Sequence, residues 1–374
     1  MLDSNSATLR SRLKTGSNFL GILNDIKRRP EDAARELDVS AELIFSIIEG
    51  RSDLPVELID KAIKLWPVNK RDFFVIDDDC LNGIKVMTAA DSEKSKRIMD
   101  RAGKPYYEYR DTVMSTVAPF RPEWILELCI VNDNEPTNPD VQWNHGHFMH
   151  QFTYFIGEVN FYYEDSSGEK KVAMMNTGDS MYITPFTRHS FATRGKAKEN
   201  GLILALTYGG QLTGDIQQEL SALSVELGSN YALDFSSYES ASAELLIYHR
   251  NISNFTLIEL SKNTSISINN LKLFENGSKL PSFFELKQLA NALTVNIRDL
   301  LPNEKTENKV IVKYYNEGRT WSYPEDNDSY LFHELASTST LPFSKSFEIQ
   351  INDSNNSKLD LKSGSHQYVY NVGI

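Results

Sequence analysis

Two periodicities divide the chain. Near the N-terminus Phe19, Ile22, Leu23 and Ile26 fall at i, i+3, i+4 and i+7, which lines one face of a helix. Pro30 is placed to open a second helix, running to Leu37. Ser40 can cap a third over Ala41 to Glu49, which Gly50 ends, and Pro55 opens a fourth. From about residue 76 the apolar residues gather in short runs: Trp124–Val131, Phe152–Phe155, Val159–Tyr163, Met181–Ile183 and Leu202–Tyr208. Runs of that length, rich in aromatic and β-branched residues, predict strands, with Ser166–Gly168 as a hairpin tip. Helical spacing returns between 240 and 303, where Ser265 is expected to cap a helix ending near Asn276 and Gly277, and Pro281 to start the next.

The order of elements repeats. The stretch Glu49–Pro55 has a counterpart in Glu275–Pro281, and His150–Gly157 has one in His366–Gly373. Each half holds a helical unit followed by a strand-rich unit. The expected fold is therefore α+β, with four domains. Residues 1–75 and 240–303 read as helix-turn-helix domains. Residues 76–235 read as a jelly-roll barrel of the cupin type. Residues 304–374 read as a second cupin that stops about fifty residues short of the first. At the position matching His147 this second copy carries Ser363, so it is expected to be incomplete and metal-free.

Composition narrows the function. Lys and Arg number 39 against 51 Asp and Glu, a formal net charge of −12, so bulk charge attracts no phosphate backbone. The helix expected to read DNA, Ala41–Glu49, has two Glu and no Arg, Lys, Asn or Gln to contact base edges. DNA binding is disfavoured on these grounds, although a ligand-sensing transcription regulator has the same domain plan. No stretch reaches 18 apolar residues and no apolar leader precedes the first helix, so the expected location is cytoplasmic, with no membrane partner. Cys80 and Cys129 have no metal-ligand spacing and read as buried thiols. A homo-oligomer is compatible with these patterns.

The chemistry concentrates between Asn144 and His189. If His147 and Gln151 lie on one strand, their spacing of four puts them on the same face. His189 follows Gly178-Asp179 and the run Met181–Ile183, as on a facing strand. Two imidazoles and one oxygen donor can hold a divalent metal and leave positions open, an arrangement suited to Fe(II), although the usual carboxylate is here an amide. His145 shares a face with His147 and competes for the role, whereas His150 has the opposite parity. Asn144, the pair Arg101 and Tyr109, and Lys27 could donate hydrogen bonds to an anionic substrate.

Taken together, Lys27, Arg101 with Tyr109 eight residues on, Asn144 with His147 three on, Gln151 and His189 resemble the hydroxyethyl- and hydroxypropylphosphonate oxygenases, which join helix-turn-helix and cupin domains around one iron. The resemblance covers nearly the whole chain. It implies Fe(II) as cofactor, held by His147, Gln151 and His189. It also implies 2-hydroxyethylphosphonate and O2 as substrates, with Lys27, Arg101, Tyr109 and Asn144 around the phosphonate and Lys27, Tyr109 and Gln151 taking part in catalysis. Gln151 together with Ile183 resembles the methylphosphonate synthases of that family, where C–C cleavage gives methylphosphonate and CO2 or bicarbonate. The alternatives within it are the dioxygenase that gives hydroxymethylphosphonate and formate, and the epoxidase.

Overall fold

The computed structural model describes residues 4–373 except 77, 119, 210–223, 225–232, 235–236, 303–308, 324–328, 340, 342–343 and 353–363. The fold is α+β, and the chain divides into two compact units: Met1–Thr88 with Val113–Arg121, and Ala89–Thr112 with Pro122–Ile374.

The first unit is helical, with helices Ser4–Asp25, Pro30–Leu37, Ala41–Ile48 and Val56–Leu65. Phe19, Leu23, Leu37, Ile44 and Ile47 are almost fully buried in one core, with Ile26 packed beside them. The helical face read from the sequence is the face that is covered. Ser40 accepts from the Leu43 N–H at 3.2 Å and caps the third helix as its spacing suggested.

The second unit contains both sheets that bear on the site. Strands β1 (Arg97–Arg101), β2 (Lys104–Asp111), β3 (Glu123–Glu127), β4 (Ile130–Val131), β5 (His150–Ile156), β6 (Val159–Glu164), β7 (Lys170–Met175), β8 (Ser180–Ile183), β9 (His189–Arg194) and β10 (Leu202–Tyr208) precede a second set of helices. After those helices come β11 (Val310–Lys313), β12 (Thr320–Tyr323), β13 (Tyr330–Glu334) and β14 (Phe347–Ile351). The larger sheet runs β1-β2-β3-β10-β5-β8-β11 and the smaller β4-β9-β6-β7. Phe155, Met181, Ile183 and Ile203 from the first and Phe161, Met175 and Phe191 from the second form one core. Strands β12–β14 make a separate sheet.

The second helical set comprises Tyr238–Ile252, Leu257–Thr264, Ile268–Glu275 and Phe283–Leu293. Here the expected capping shifts by a few residues. Ser265 ends a helix in the left-handed region, at φ 60°, and it is Ser267 that accepts from the Asn270 N–H and caps the next. The last helix starts from a Ser282/Glu285 capping box one residue past Pro281. In the second strand-rich stretch, β11 extends the first sheet by pairing with β8. His366–Gly373 forms no strand, although it repeats the β5 sequence. Instead Tyr370 packs edge-on against Trp124 at 5.7 Å. Ser363, the expected counterpart of His147, lies outside the described residues. Both cysteines are half-buried, not buried as expected.

Candidate metal centre

His147 does not sit on a strand. Strand β5 begins at His150, and His147 belongs to the loop before it, so strand parity is not what pairs it with Gln151. The pairing comes from a clamp between two loops. The Phe186 N–H donates to the His147 carbonyl at 2.8 Å. Gly146 lies at φ +75°, and a Cβ there would stand 2.6 Å from the Phe186 carbonyl carbon. Glycine is required twice at this position, for the backbone angle and for the close approach. Phe186 itself is held at φ 59°, an unfavourable region for a bulky residue. This clamp brings His147 Nε2 to 2.8 Å from Gln151 Oε1.

The tautomers follow from the backbone. His147 Nδ1 lies 2.7 Å from the Met149 carbonyl, and His189 Nδ1 lies 2.8 Å from the Thr187 carbonyl. A carbonyl only accepts, so each Nδ1 carries the proton and each Nε2 of a neutral ring carries a lone pair. Burial holds the His189 imidazole neutral, lowering its pKa to about 4, with the charges of His147 and Arg101 acting in the same direction and the Thr187 carbonyl against them. Gln151 donates its Nε2 to Thr153 Oγ1 at 2.9 Å, which turns Oε1 toward His147. With the His147 ring in that neutral tautomer, two acceptor atoms face each other at hydrogen-bond distance. A cation resolves that opposition, so the donor set fits a divalent metal. Among the described residues no group of three His, Cys, Asp or Glu gathers, because the third donor here is an amide.

Asn144 ties the second imidazole in place. Its Oδ1 accepts from the Gly146 N–H at 2.9 Å and the His189 N–H at 3.0 Å. Its Nδ2 is thereby aimed at His189 Nε2, 2.9 Å away. A metal taking that lone pair would free the amide N–H for another acceptor close to the centre. Gln151 and His189 are buried while His147 is half-exposed, which leaves the centre open on the His147 side. Ile183 is fully buried and pairs with Gln151 across β5 and β8.

Arg101 and Tyr109 lie on the β1–β2 hairpin, two strands that the apolar pattern did not reveal. Arg101 donates to the Gln142 carbonyl at 2.8 Å and lies over the rings of Tyr106 and Tyr107, at 5.3 and 4.7 Å. Burial, only partly offset by Arg101, pushes the Tyr109 phenol up to about 12, so it remains a donor. Tyr106 and Tyr107 both reach Ser190 Oγ, at 3.0 and 3.2 Å. The sequence reading did not find this pair or Thr153. His145 is exposed, and His150 points away, its Nδ1 2.6 Å from Tyr182 Oη. Lys27 is an exposed residue of the other compact unit, at φ 60° just past the first helix.

No family model matches the chain. A curated relative, methylphosphonate synthase of Nitrosopumilus maritimus (strain SCM1), is 63% identical over 361 residues, which is 96% of this chain and 79% of the relative. The structure of Streptomyces albus HEPD with 2-hydroxyethylphosphonate and Fe(II) bound superposes with a TM-score of 0.80 at 36% identity, covering 91% of this chain and 76% of that one. A cadmium-bound PhpD structure, with a TM-score of 0.67 and 16% identity over 90% of this chain and 79% of its own, shares the fold. The chain therefore belongs to the family of methylphosphonate synthase and hydroxyethylphosphonate dioxygenase (HEPD).

Proposed function

We propose that this protein converts 2-hydroxyethylphosphonate and O2 to methylphosphonate and bicarbonate. The observation that carries this reading is the neutral first-sheet pair, Gln151 facing His147 with Ile183 beside it, in a chain 63% identical to a methylphosphonate synthase. The reaction balances without a reductant: the atoms of substrate and O2 equal those of methylphosphonate and carbonic acid, and the substrate supplies all four electrons.

His147, Gln151 and His189 would hold Fe(II), which when bound supplies the site of substrate chelation and O2 activation. Arg101, Tyr109 and the Nδ2 of Asn144 bind the phosphonate oxygens, each as a donor. Tyr109 keeps its proton and so orients the anion without competing for it. Gln151 contributes no charge, and Ile183 keeps a second carboxylate out of the adjacent wall. Lys27 supplies an ammonium donor to the reacting oxygen, from the same chain or a neighbouring copy. We read residues 1–75 and 240–303 as helix-turn-helix domains, 76–235 as the catalytic cupin and 304–374 as a shortened, metal-free second cupin. Among the described residues no helix is long and apolar enough to cross a membrane, and we place the protein in the cytoplasm.

The test is anaerobic loading with Fe(II), addition of 2-hydroxyethylphosphonate and O2, and phosphorus NMR of the product. Methylphosphonate is expected. Hydroxymethylphosphonate as the main product would move the chain to the dioxygenase branch.

A further inference from the structure

Glu127 closes β3 with no accessible surface, and neither carboxyl oxygen has a hydrogen-bond partner among the described residues. Its backbone is fixed on both sides. The N–H donates to the Gly201 carbonyl at 2.8 Å, and the carbonyl accepts from Thr193 Oγ1 at 2.7 Å. The register sets Glu127 opposite Tyr107, on the strand that also carries Tyr109. Arg101 is the cation that acts on it, yet that guanidinium donates to Gln142 and stacks on two tyrosines. Glu127 is thus a buried acid whose cross-strand partner, Tyr107, carries the Arg101 guanidinium over its ring, and its carboxyl makes no hydrogen bond among the described residues.

We propose that Glu127 is a positioning residue for anion binding: it stands behind Arg101 as a neutral carboxylic acid, so that the guanidinium charge remains whole for the phosphonate. An ionised carboxylate in that place would neutralise Arg101 and repel the substrate. Burial, opposed only by Arg101, pushes the Glu127 carboxyl well above its ordinary range, in keeping with this state. The other titratable groups facing it are Tyr107 and Tyr109 on β2 and Cys129 just past its own strand, and burial raises all three. They keep their protons as Glu127 loses its own. From β9 and from the residue just before β10 it meets Thr193 and Gly201, which do not titrate.

The inference rests on the phosphonate reading of Arg101. Its test is calorimetric titration of the anaerobic, Fe(II)-loaded full chain with 2-hydroxyethylphosphonate from about pH 6.5 to about pH 9, wild type against Glu127→Gln. The substrate's own ionisation is common to both proteins. The two proteins are expected to bind with Kd values within about threefold of each other at the acid end, where both carry a neutral group, and any divergence toward the alkaline end should weaken the wild type and appear in KM and not kcat. A roughly tenfold tightening in E127Q already at the acid end would overturn the role of Glu127 alone, since it would mean that the carboxyl is ionised there. Wild-type protein that binds no phosphonate at any pH would overturn the functional reading first. Should E127Q not fold, E127M, apolar and of nearly the same length, carries the comparison.

Discussion

Gln151 and Ile183 are Cα partners on the neighbouring antiparallel strands β5 and β8. Residues directly opposite each other point to the same face, so these two side chains share one wall of the centre. Ile183 is fully buried there, and Gln151 lies beside it with its oxygen turned to His147. The two positions to which we assign the choice of product are thus one cross-strand pair, and the wall they form carries no charge.

Gln151→Glu adds a negative charge to that wall. The Thr153 hydroxyl, now 2.9 Å from the amide nitrogen, can turn to donate to the new carboxylate, so the variant should fold. We expect it to bind divalent metal about tenfold or more tightly, since a charged oxygen donor replaces a neutral one. The product should shift from methylphosphonate toward hydroxymethylphosphonate. Gln151→Ala should lose at least about tenfold in metal affinity. Calorimetry and phosphorus NMR read both effects, and metal binding by the alanine variant that equals wild type would remove Gln151 from the ligand set.

Gly146→Ala tests the loop clamp. A Cβ would stand 2.6 to 2.9 Å from three Phe186 backbone atoms, on a residue already at φ +75°. The neighbouring backbone cannot give way cheaply, because the Phe186 N–H is committed to His147. We expect a loss of about 1–3 kcal/mol in stability and weaker metal binding, because His147 moves relative to Gln151. Gly21, which meets nothing within 4 Å, is the control, and its alanine variant should be neutral or stabilising. Equal metal affinity in G146A and wild type would mean that the clamp does not place His147.

The sequence marked the residues of this candidate centre more clearly than their arrangement. Spacing picked out His147, Gln151 and His189 under the assumption of a strand, and the pairing holds because a glycine-dependent loop does what strand parity was expected to do. The strands β5, β6, β8 and β10 were legible because each packs one or both faces in a core and so runs apolar. The β1–β2 hairpin was not, since β1 exposes nearly every residue and leaves no alternation to read. Glu127 was hidden for the opposite reason. It sits in the apolar run Trp124–Val131, where a single acid reads as an outward-facing residue, and only the sheet register shows that it faces inward. The pairing of β11 with β8 joins residues more than 120 apart, a contact that local patterning does not encode.

Asn144→Ala should act on both sides of the centre. Its oxygen accepts two backbone N–H groups and its nitrogen faces His189, so truncation leaves two part-buried donors without this acceptor. Each such loss costs about 1–3 kcal/mol if water does not replace it. We expect a lower melting temperature and a KM for 2-hydroxyethylphosphonate at least about tenfold higher. A variant with normal KM but reduced stability would confine Asn144 to holding the loop.

Glu127 gives a stability prediction whose sign can be worked out. Its carboxyl pKa is raised in the folded protein above the ordinary 4.5, so between those two values the folded state holds a proton that the unfolded chain has released. Stability then falls as pH rises through that window, because unfolding releases a proton. Glu127→Met has no such proton, and it also removes a buried polar group that lacks a partner among the described residues. Removing an unsatisfied buried group should stabilise the apoprotein by about 1–3 kcal/mol near neutral pH. The gap to wild type should widen from acid to neutral pH and narrow, without closing, toward the acid end, where the unpaired neutral acid still costs the wild type. Melting temperatures of both proteins, taken at several pH values, give the comparison directly. An E127M protein that melts lower than wild type at every pH would mean that the carboxyl is hydrogen-bonded in solution, and Glu127 would then be a structural anchor instead of a bare acid behind Arg101.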